Sequence, residues 1–284
     1  MIAIASGSAS DLFARACAAV LASGQRVAPR GMATFEVLGA HLCLVDARRR
    51  LVDVPPVRVL NPAFAAAEAV WVLSGSNQPW IHTYNRRLAD FTDDGLVTAY
   101  GPRLRCWRGS VDQLDEVRRL LIGEPETRRA VIQLFDPGRD LGRHAPVPCA
   151  LGYRFYIRGG KLHMYTTLRS QDLWLGFGYD VFTATVLQES LAGWVGAEVG
   201  EYHHHVDSLH LYERDLPAAH AVASCDELSD GDRMAPLAVP WSAFDATLQQ
   251  VVAGGEVANP GWAELAGSYG ATGNGRPVIA VVPG

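Results

Sequence analysis

The sequence predicts an α+β fold, and three observations lead to that prediction. Some segments repeat apolar residues at helical spacing, others are rich in β-branched and aromatic residues, and two of the β-rich runs are joined by Gly159-Gly160, a strong hairpin signal. Hydrophobic residues make up 49% and charged residues 19% of the 284, which excludes a disordered chain. Because no repeat or linker divides the sequence, we expect residues 1–284 to form a single domain.

The first half of the chain predicts two helices and two strands. Ser10 is a plausible N-cap for a helix over residues 10–22, which Gly24 would end. After a turn that contains Arg30, β-rich runs at Phe35–Leu38 and His41–Val45 indicate strands. The alanine-rich segment that follows Pro62 predicts a helix that ends at Gly75 and carries Glu68.

The second half continues with helices and strands. The periodicity predicts a helix over Ser110–Ile122, a buried strand that starts at Arg129, the hairpin over 151–168, a helix over Val181–Val195 and a strand over Glu201–Tyr212. From Pro217 onward the sequence is punctuated by proline and glycine and is only weakly periodic. We therefore expect the regular fold to lie mainly before this tail.

Composition also excludes several functional classes. A net charge of −5 and a pI near 6.0 argue against a surface that coats nucleic acid. No apolar run approaches the ~20 residues of a membrane span, and the first residues lack the composition of a secretory signal, so we expect a cytoplasmic protein. The five cysteines are odd in number and lack CxxC pairs, which argues against a disulfide framework or a zinc ribbon.

One segment carries most of the chemical information: PVPCALGYRFYIRGGKLHMYTTLRSQDLWLGFGYDVF. It resembles the nucleophile segment of the thymidylate synthase family, in which Pro-Cys is followed by a hairpin, Arg-Ser, an aspartate, Leu-Gly and a residue that reads the base. The matching positions in order are Cys149, Arg169-Ser170, Asp172, Gly176 and Asp180. Several separated motifs in the right order are far more specific than one.

Other segments extend the resemblance over about residues 15–215. Glu68 in EAVWVLSG resembles the family's helix-borne catalytic glutamate, and Tyr100 in AYGPRLRCW resembles its active-site tyrosine. Arg128-Arg129 in ETRRAV resembles the arginine pair that reaches across the dimer, and His210 and Tyr212 in HLY resemble the sugar-binding pair. The resemblance implies a mixed β-sheet packed with helices, a homodimer formed through that sheet, and 5,10-methylenetetrahydrofolate as co-substrate without a metal.

The chemistry of such a reaction requires these residue types. A pyrimidine C5 becomes nucleophilic only after a thiolate adds at C6, and Cys149 would supply the thiolate. A free cysteine is mostly protonated at neutral pH, so nearby positive charge is needed, and Arg169 is the local candidate. A buried carboxylate such as Glu68 has a raised pKa and can shuttle protons, and Tyr100 would assist it.

Arginines predict how the nucleotide phosphate is held. The dianion needs several donors, and the guanidinium fork suits bidentate binding. Because the resemblance places two of these arginines in the partner's site, it implies an isologous homodimer. The predicted set is Arg30, Arg128, Arg129, Arg169 and Ser170.

Three departures from the synthase pattern concern the substrate. Asp180 stands where synthases carry an asparagine that reads uracil, Ala150 replaces the histidine after the nucleophile, and the C-terminal VIAVVPG differs from the synthase tail. Cytosine reverses the donor and acceptor at positions 3 and 4 relative to uracil, and a protonated carboxyl can donate to N3 while it accepts from the 4-amino group. The resemblance is therefore greatest to the family's cytidylate hydroxymethylases, which carry aspartate here.

We accordingly predict a hydroxymethylase that converts CMP or dCMP, methylenetetrahydrofolate and water to the 5-hydroxymethyl nucleotide. The alternatives are a thymidylate synthase or dUMP hydroxymethylase, and a nucleotide-binding module without catalysis. Asp180 could also be a helix cap unrelated to the base. By resemblance, Asp172, Gly176 and Arg58 would contact folate, although Arg58 could equally be an ordinary surface arginine.

The run His203-His204-His205 invites a metal-site hypothesis. On a strand, His203 and His205 share one face and His204 points away, so the run presents at most a partial ligand set. We favour a polar strand near the nucleotide over a metal site.

Overall fold

A computed structural model describes residues 2–91, 98–142, 147–225, 228 and 231–270, and its centre is one eight-stranded mixed β-sheet. The strands are β1 (Ile2–Ser6), β2 (Gln25–Val27), β3 (Thr34–Leu44), β4 (Asp53–Val54), β5 (Arg58–Val59), β6 (Val131–Gln133), β7 (Ala150–Arg158), β8 (Lys161–Leu168), β9 (Gln171–Asp172) and β10 (Glu198–Tyr212). Six of them run across the sheet in the order β1-β3-β10-β8-β7-β6, while β2 pairs with β3 and β9 pairs with β10. Strands β4 and β5 form a separate two-stranded sheet.

Helices pack against this sheet and against one another, which confirms the predicted mixed sheet with helices. Among the described residues they are α1 (Ala9–Ser23), α2 (Pro62–Leu73), α3 (Tyr100–Arg105), α4 (Gln113–Gly123), α5 (Pro137–Asp140), α6 (Phe177–Val195), α7 (Leu216–Ala223), α8 (Trp241–Ala253) and α9 (Pro260–Gly270). In the part of the chain that the structure describes, no helix has the length and apolar character needed to cross a membrane.

The centre of the sheet is the long strand β10. It pairs antiparallel with β3 on one side and parallel with β8 on the other, and the short β9 extends the pairing at its C-terminal end. The hairpin of β7 and β8 turns through Gly159 and Gly160, whose φ angles of +56° and +74° are the left-handed values of a type I′ turn. The predicted hairpin is confirmed, and it places the start of β7 beside the end of β8.

Two buried helices that pack against each other bring acidic residues to the same place. Helix α2 begins where the side chain of Asn61 accepts hydrogen bonds from the first backbone N–H groups, and its alanines let it pack closely against α6. Helix α6 is buried along most of its length and packs on β8 and β10. Glu68 on α2 and Asp180 in the first turn of α6 therefore face each other.

The N-terminal elements differ from prediction in two respects. Ser8, not Ser10, caps α1 by accepting from the N–H of Asp11; Ser10 is buried inside the helix, where its hydroxyl bonds to the backbone of Asp53. The two predicted strands between 35 and 45 are one strand, β3, with Gly39 at a φ of +74° in the middle. Tertiary pairing with β10 along the whole run overrides the local break.

Later elements differ mainly at their N-terminal ends. The predicted helices at 110 and 181 begin at 113 and 177, and the predicted strands at 129 and 201 begin at 131 and 198. The expectation of an irregular tail was wrong, because α7, α8 and α9 follow β10. Proline and glycine residues interrupt this part of the sequence, so the helical spacing of its buried residues, such as Phe244 and Trp262, is hard to recognise.

Candidate active site

A cavity of about 210 Å³ opens between α2, α3, the hairpin and α6. Four sequence-predicted residues line it together: Glu68, Tyr100, Cys149 and Asp180. Their neighbours are largely apolar and include Trp71, Val72, Tyr153, Leu168 and Ala184. An apolar cavity with a few convergent polar groups and a cysteine is the arrangement expected of a catalytic pocket.

Cys149 lies directly before β7 and is fixed by the residue that follows β8. The N–H of Arg169 donates to the carbonyl of Cys149 at 2.9 Å, and its guanidinium donates to the carbonyls of Pro148 and Val147, both at 2.9 Å. One guanidinium nitrogen lies 3.9 Å from the Cys149 Sγ. Arg169 thus holds the loop of the nucleophile and places a positive charge beside its sulfur.

Two opposing influences act on the thiol. Burial raises the pKa of Cys149, whereas the charge of Arg169 and, more weakly, that of Arg30 lower it; Asp180 and Asp172 add to the increase. The resting group is therefore a thiol, and Arg169 is the nearest cation that can stabilise the thiolate.

The start of β7 is irregular, and a side chain completes its hydrogen bonding. The pairing of β7 with β8 shifts register between Ala150 and Gly152. The N–H of Ala150 donates at 3.1 Å to the hydroxyl oxygen of Tyr100 at the start of α3. Burial, followed by the nearby Cys149 and Asp180, raises the pKa of Tyr100 well above its usual range, so the phenol keeps its proton.

Asp180 is held by a residue that sequence reasoning missed. The side-chain nitrogen of Gln171 on β9 donates to Asp180 Oδ2 at 2.9 Å. Burial raises the pKa of Asp180 to about 6, with the Gln171 hydrogen bond opposing this shift and Asp172 adding to it. Near neutral pH this carboxyl can therefore carry or share a proton.

Glu68 contributes a second acid to the cavity. Burial and, to a smaller extent, the neighbouring Asp180 raise its pKa to about 8. The Glu68 carboxyl is consequently protonated at neutral pH and can donate a proton to a bound ligand.

The predicted phosphate-binding residues do not all meet at this cavity. Arg169 and Ser170 follow β8, and neither lines the cavity, although the guanidinium of Arg169 lies beside the Cys149 sulfur. Arg30 is exposed in a tight turn with a φ of +54°. Arg128 and Arg129 are exposed between α4 and β6, Arg129 forms an ion pair with Glu124, and neither arginine lines the cavity of its own chain.

The predicted sugar-binding and folate-binding residues lie around the end of β9. His210 pairs with Asp172 in the sheet register, and its ring meets that of Tyr212 edge-on at 5.4 Å. Asp172 accepts from the N–H of Leu175 at 2.9 Å, at the turn that leads to Gly176 and α6. Arg58 lies over the ring of Trp174 at 5.6 Å.

Gly176 has a role that the structure makes explicit. A Cβ on this residue would lie 2.6 Å from the Gln171 side-chain nitrogen, 3.2 Å from the Asp172 carbonyl and 3.5 Å from Asp180 Oδ2. Its φ is −94°, so space and not backbone conformation demands glycine. Gly176 is the residue that lets the Gln171 amide reach Asp180.

We expect Gly176→Ala to displace that amide and to lower the free energy of unfolding by about 1–3 kcal/mol, the usual cost of overpacking. Urea unfolding measures this change. Gly7→Ala is the matched control, because a Cβ there meets no heavy atom within 4 Å. Equal stabilities for the two variants would contradict the proposed contact.

The histidine run is divided between the two faces of the sheet. His204 is fully buried and bonds to Tyr202 and Gln171, whereas His203 and His205 lie on the other face, stacked with His41 and Tyr165. Within the described ranges, the ligand atoms of Cys43, Glu201 and His203 lie within 4.8 Å of one another. This group lies on the face opposite the cavity.

Comparison with known proteins agrees with this geometry. The model of the family described as thymidylate synthase matches residues 11–227. The chain belongs to the thymidylate synthase family. The matched range contains every predicted site residue and ends before α8 and α9, so these two helices lie outside the part that the thymidylate synthase model covers.

Individual relatives fall into two groups by name. The chain is 33% identical over 224 residues to a deoxyuridylate hydroxymethyltransferase of Bacillus phage SP01, covering 74% of this chain and 58% of that protein. It is 35% identical over 167 residues to a protein of the same name from Pseudomonas phage M6 (56% and 47%), and 35% identical over 178 residues to a thymidylate synthase of Bacillus subtilis subsp. natto (58% and 63%). The matches thus span about half to three-fifths of these relatives.

The sequence predicted residues that line the cavity, but not the residues that hold Asp180 in place by hydrogen bonds. Gln171, His204 and Tyr202 do not belong to the motifs on which the resemblance rests. A signal for them was present, because alternation along a strand places Tyr202 and His204 on one face, opposite to His203. Only the pairing of β9 with β10 brings that face to Gln171.

Proposed function

We propose that this chain hydroxymethylates C5 of a cytosine nucleotide, CMP or dCMP, with methylenetetrahydrofolate and water. The observation that carries the proposal is an acidic group, Asp180, in the same apolar cavity as the nucleophile Cys149. Membership of the thymidylate synthase family supports the folate-dependent C5 chemistry, and Asp180 supports the choice of base.

The proposed chemistry begins at the sulfur. Cys149 loses its proton, with Arg169 stabilising the thiolate, and the sulfur bonds to C6 of the pyrimidine so that C5 can form a bond to the one-carbon unit. Glu68, protonated at neutral pH, supplies a proton to the ring substituent that gains electron density during the addition. Tyr100 keeps the loop of the nucleophile aligned through the Ala150 N–H. C5 then loses its proton and the one-carbon unit separates from folate, water adds to that exocyclic carbon, and the electron pair released into the ring expels the sulfur from C6 as the Cys149 thiolate.

Asp180 matches the base edge of cytosine better than that of uracil. With a pKa raised to about 6, its carboxyl exchanges a proton readily near neutral pH. A neutral carboxyl donates to N3 and accepts from the 4-amino group, and a carboxylate serves the N3-protonated ring equally well. Uracil presents N3–H and O4, and the carboxylate form of Asp180 can accept from N3–H but has no proton to donate to O4.

Folate would occupy the side of the cavity near Arg58 and Asp172. The Arg58 Nε is buried and has no hydrogen-bond partner among the described residues, so it can receive an acidic group. Folate supplies the one-carbon unit when bound. In this proposal Arg58 binds its anionic part, and Asp172 together with Gly176 shapes the surface against which its ring lies.

A second candidate function is hydroxymethylation or reductive methylation of dUMP. The observation that favours it is the comparison itself, since the relatives are named deoxyuridylate hydroxymethyltransferases and thymidylate synthases. Under this alternative, Asp180 would pair with uracil through its protonated oxygen or serve only as a helix-terminal acid.

Mass analysis of the products formed from CMP, dCMP and dUMP with methylenetetrahydrofolate separates the candidates. We expect 5-hydroxymethyl products from one or both cytosine nucleotides and little product from dUMP. Exclusive turnover of dUMP would overturn the base assignment but not the C5 chemistry. Absence of any folate-dependent product would overturn both.

The pH dependence tests the role of Glu68. Its pKa is raised to about 8, so the proton-donating form is present below that pH and is lost as the pH rises through it. We expect kcat to fall above about pH 8, and Glu68→Gln to reduce kcat by roughly 10²- to 10⁴-fold. Glu116→Gln, on the exposed face of α4, is the control. A wild-type profile without a decrease near pH 8 would contradict this role.

We further propose a homodimer in which Arg128 and Arg129 bind the phosphate in the partner's site. Both are exposed and lie outside the cavity of their own chain, as such a role requires. Mixing an inactive Cys149→Ser protein with an inactive Arg128→Ala, Arg129→Ala protein should restore up to about a quarter of the activity, because about half of the dimers would be hybrids and each hybrid would have one intact site of two. No recovery after subunit exchange would contradict the shared site.

A further inference from the structure

A chain of buried hydrogen bonds leads from the sheet to Asp180. The Tyr202 hydroxyl lies 2.7 Å from His204 Nδ1, and His204 Nε2 lies 3.1 Å from Gln171 Oε1. The Gln171 nitrogen then donates to Asp180 Oδ2 at 2.9 Å and also lies 3.2 Å from the backbone carbonyl of Asp172. We refer to Tyr202, His204 and Gln171 together as the relay.

The direction of every hydrogen bond in the relay follows from one carbonyl. A backbone carbonyl only accepts, so the Gln171 atom beside Asp172 must be the amide nitrogen. The amide oxygen then faces His204 and needs a donor, which places the proton of that imidazole on Nε2. Its Nδ1 is left as an acceptor, and the Tyr202 hydroxyl donates to it.

Burial keeps the relay in this single state. Tyr202 and His204 are fully buried and Gln171 is 3% exposed, so solvent does not replace a lost partner. Burial also lowers the pKa of His204 to about 3, with His205 contributing, so the imidazole is neutral and has one proton to place. A reversed amide would place its oxygen against the Asp172 carbonyl, two acceptors face to face, at the cost of a buried unsatisfied group.

We propose that the relay is a specificity-determining positioning device, which fixes Asp180 Oδ2 as a hydrogen-bond acceptor, with a second lone pair for the 4-substituent of the pyrimidine, and leaves Oδ1 to bond to N3. An oxygen that accepts from Gln171 does not carry the proton of a neutral carboxyl, so any proton lies on Oδ1. The orientation of Asp180, and with it the donor or acceptor presented to the base, is then set by residues outside the cavity. This inference rests on the proposed function, in which Asp180 reads the base.

The test measures binding, which does not depend on turnover. Dissociation constants for dCMP and dUMP are determined by isothermal titration calorimetry on the full chain without folate, for the wild type, Gln171→Leu and Tyr202→Phe. Loss of a buried hydrogen bond to a charged or shared-proton group corresponds to a factor of about 10 or more. We expect Gln171→Leu to change the dCMP-to-dUMP affinity ratio toward unity by about 10-fold or more. Tyr202→Phe should change it in the same direction by a smaller factor, roughly 3-fold.

The Tyr202→Phe variant separates positioning from damage to the cavity. Tyr202 does not line the cavity, and without its hydroxyl His204 Nδ1 loses its donor, which loosens the imidazole that donates to Gln171. A purely structural effect would weaken both nucleotides equally and leave the ratio unchanged. Urea unfolding of each variant identifies any that fails to fold, and the other variant then decides.

The outcomes distinguish this inference from the proposed function. An unchanged affinity ratio in folded Gln171→Leu and Tyr202→Phe would overturn the relay proposal, as would a wild type that binds dCMP and dUMP equally. The product assay with CMP, dCMP and dUMP judges the proposed function separately. A changed ratio in both variants supports the relay whichever base the wild type prefers.

Discussion

Cys149→Ser should abolish turnover, with kcat reduced by about 10⁴-fold or more. A serine hydroxyl is not ionised at neutral pH, and a nearby guanidinium 3.9 Å away does not make it a nucleophile comparable to a thiolate. When several catalytic residues act together, removal of the nucleophile alone lowers kcat about as much as removal of all of them. In known enzymes this loss is at least roughly 10⁴-fold. Steady-state product formation from CMP and dCMP measures the effect.

The control is another free cysteine of similar accessibility. Cys106 follows α3 and does not line the cavity, so Cys106→Ser should leave kcat within about twofold of the wild type. Nucleotide binding by Cys149→Ser should survive, because the hydrogen bond from Arg169 to the residue 149 carbonyl does not involve the sulfur. Substantial turnover by Cys149→Ser would contradict covalent catalysis at this position.

Asp180→Asn should have the second largest effect and should transfer preference from cytosine to uracil nucleotides. An asparagine amide donates and accepts in the pattern that suits uracil, and a site built from buried hydrogen bonds discriminates against mispaired groups by roughly 10⁴-fold. We expect the ratio of kcat/KM for dCMP over dUMP to fall by about 10³- to 10⁴-fold. The Gln171 nitrogen can still donate to the amide oxygen of the variant, which holds the new side chain in place.

The same substitution makes a second prediction about Glu68. Because the Asp180 charge raises the pKa of Glu68, its removal should move the decrease of kcat to a pH below 8. Asp11→Asn, at a partly exposed position of α1 that does not line the cavity, is the control for both measurements. A base preference that Asp180→Asn leaves unaltered would count against base recognition by this residue, whichever nucleotide the wild type prefers.

The central part of the fold was predictable because local signals and tertiary packing agree there. Gly159-Gly160 predicted the hairpin, and runs of β-branched and aromatic residues predicted β7, β8 and most of β10, each of which has one buried face. The alanine-rich helix around Glu68 was also predictable, because Asn61 and Pro62 mark its start. These elements carry the cavity, so the predicted lining residues meet there.

The remaining parts depend on long-range contacts that a sequence does not display. Ser8 caps α1 in place of the predicted Ser10, because the Ser10 hydroxyl forms hydrogen bonds with the backbone of a segment more than forty residues away. The connection of His204 to Gln171 could not be predicted for the same reason, since the two residues are 33 residues apart and meet only through the pairing of β9 with β10. The C-terminal VIAVVPG lies outside the described residues.

The hydrogen bond from the backbone N–H of residue 150 to the Tyr100 hydroxyl affects which changes the cavity lining can tolerate in evolution. A main-chain N–H is present whatever side chain residue 150 carries, proline excepted, so alignment of the sulfur does not depend on the identity of that side chain. The wall of the pocket next to the nucleophile is consequently free to change, and alanine can stand there in place of the histidine of synthases. Evolution can remodel substrate choice at this position while the covalent chemistry stays intact.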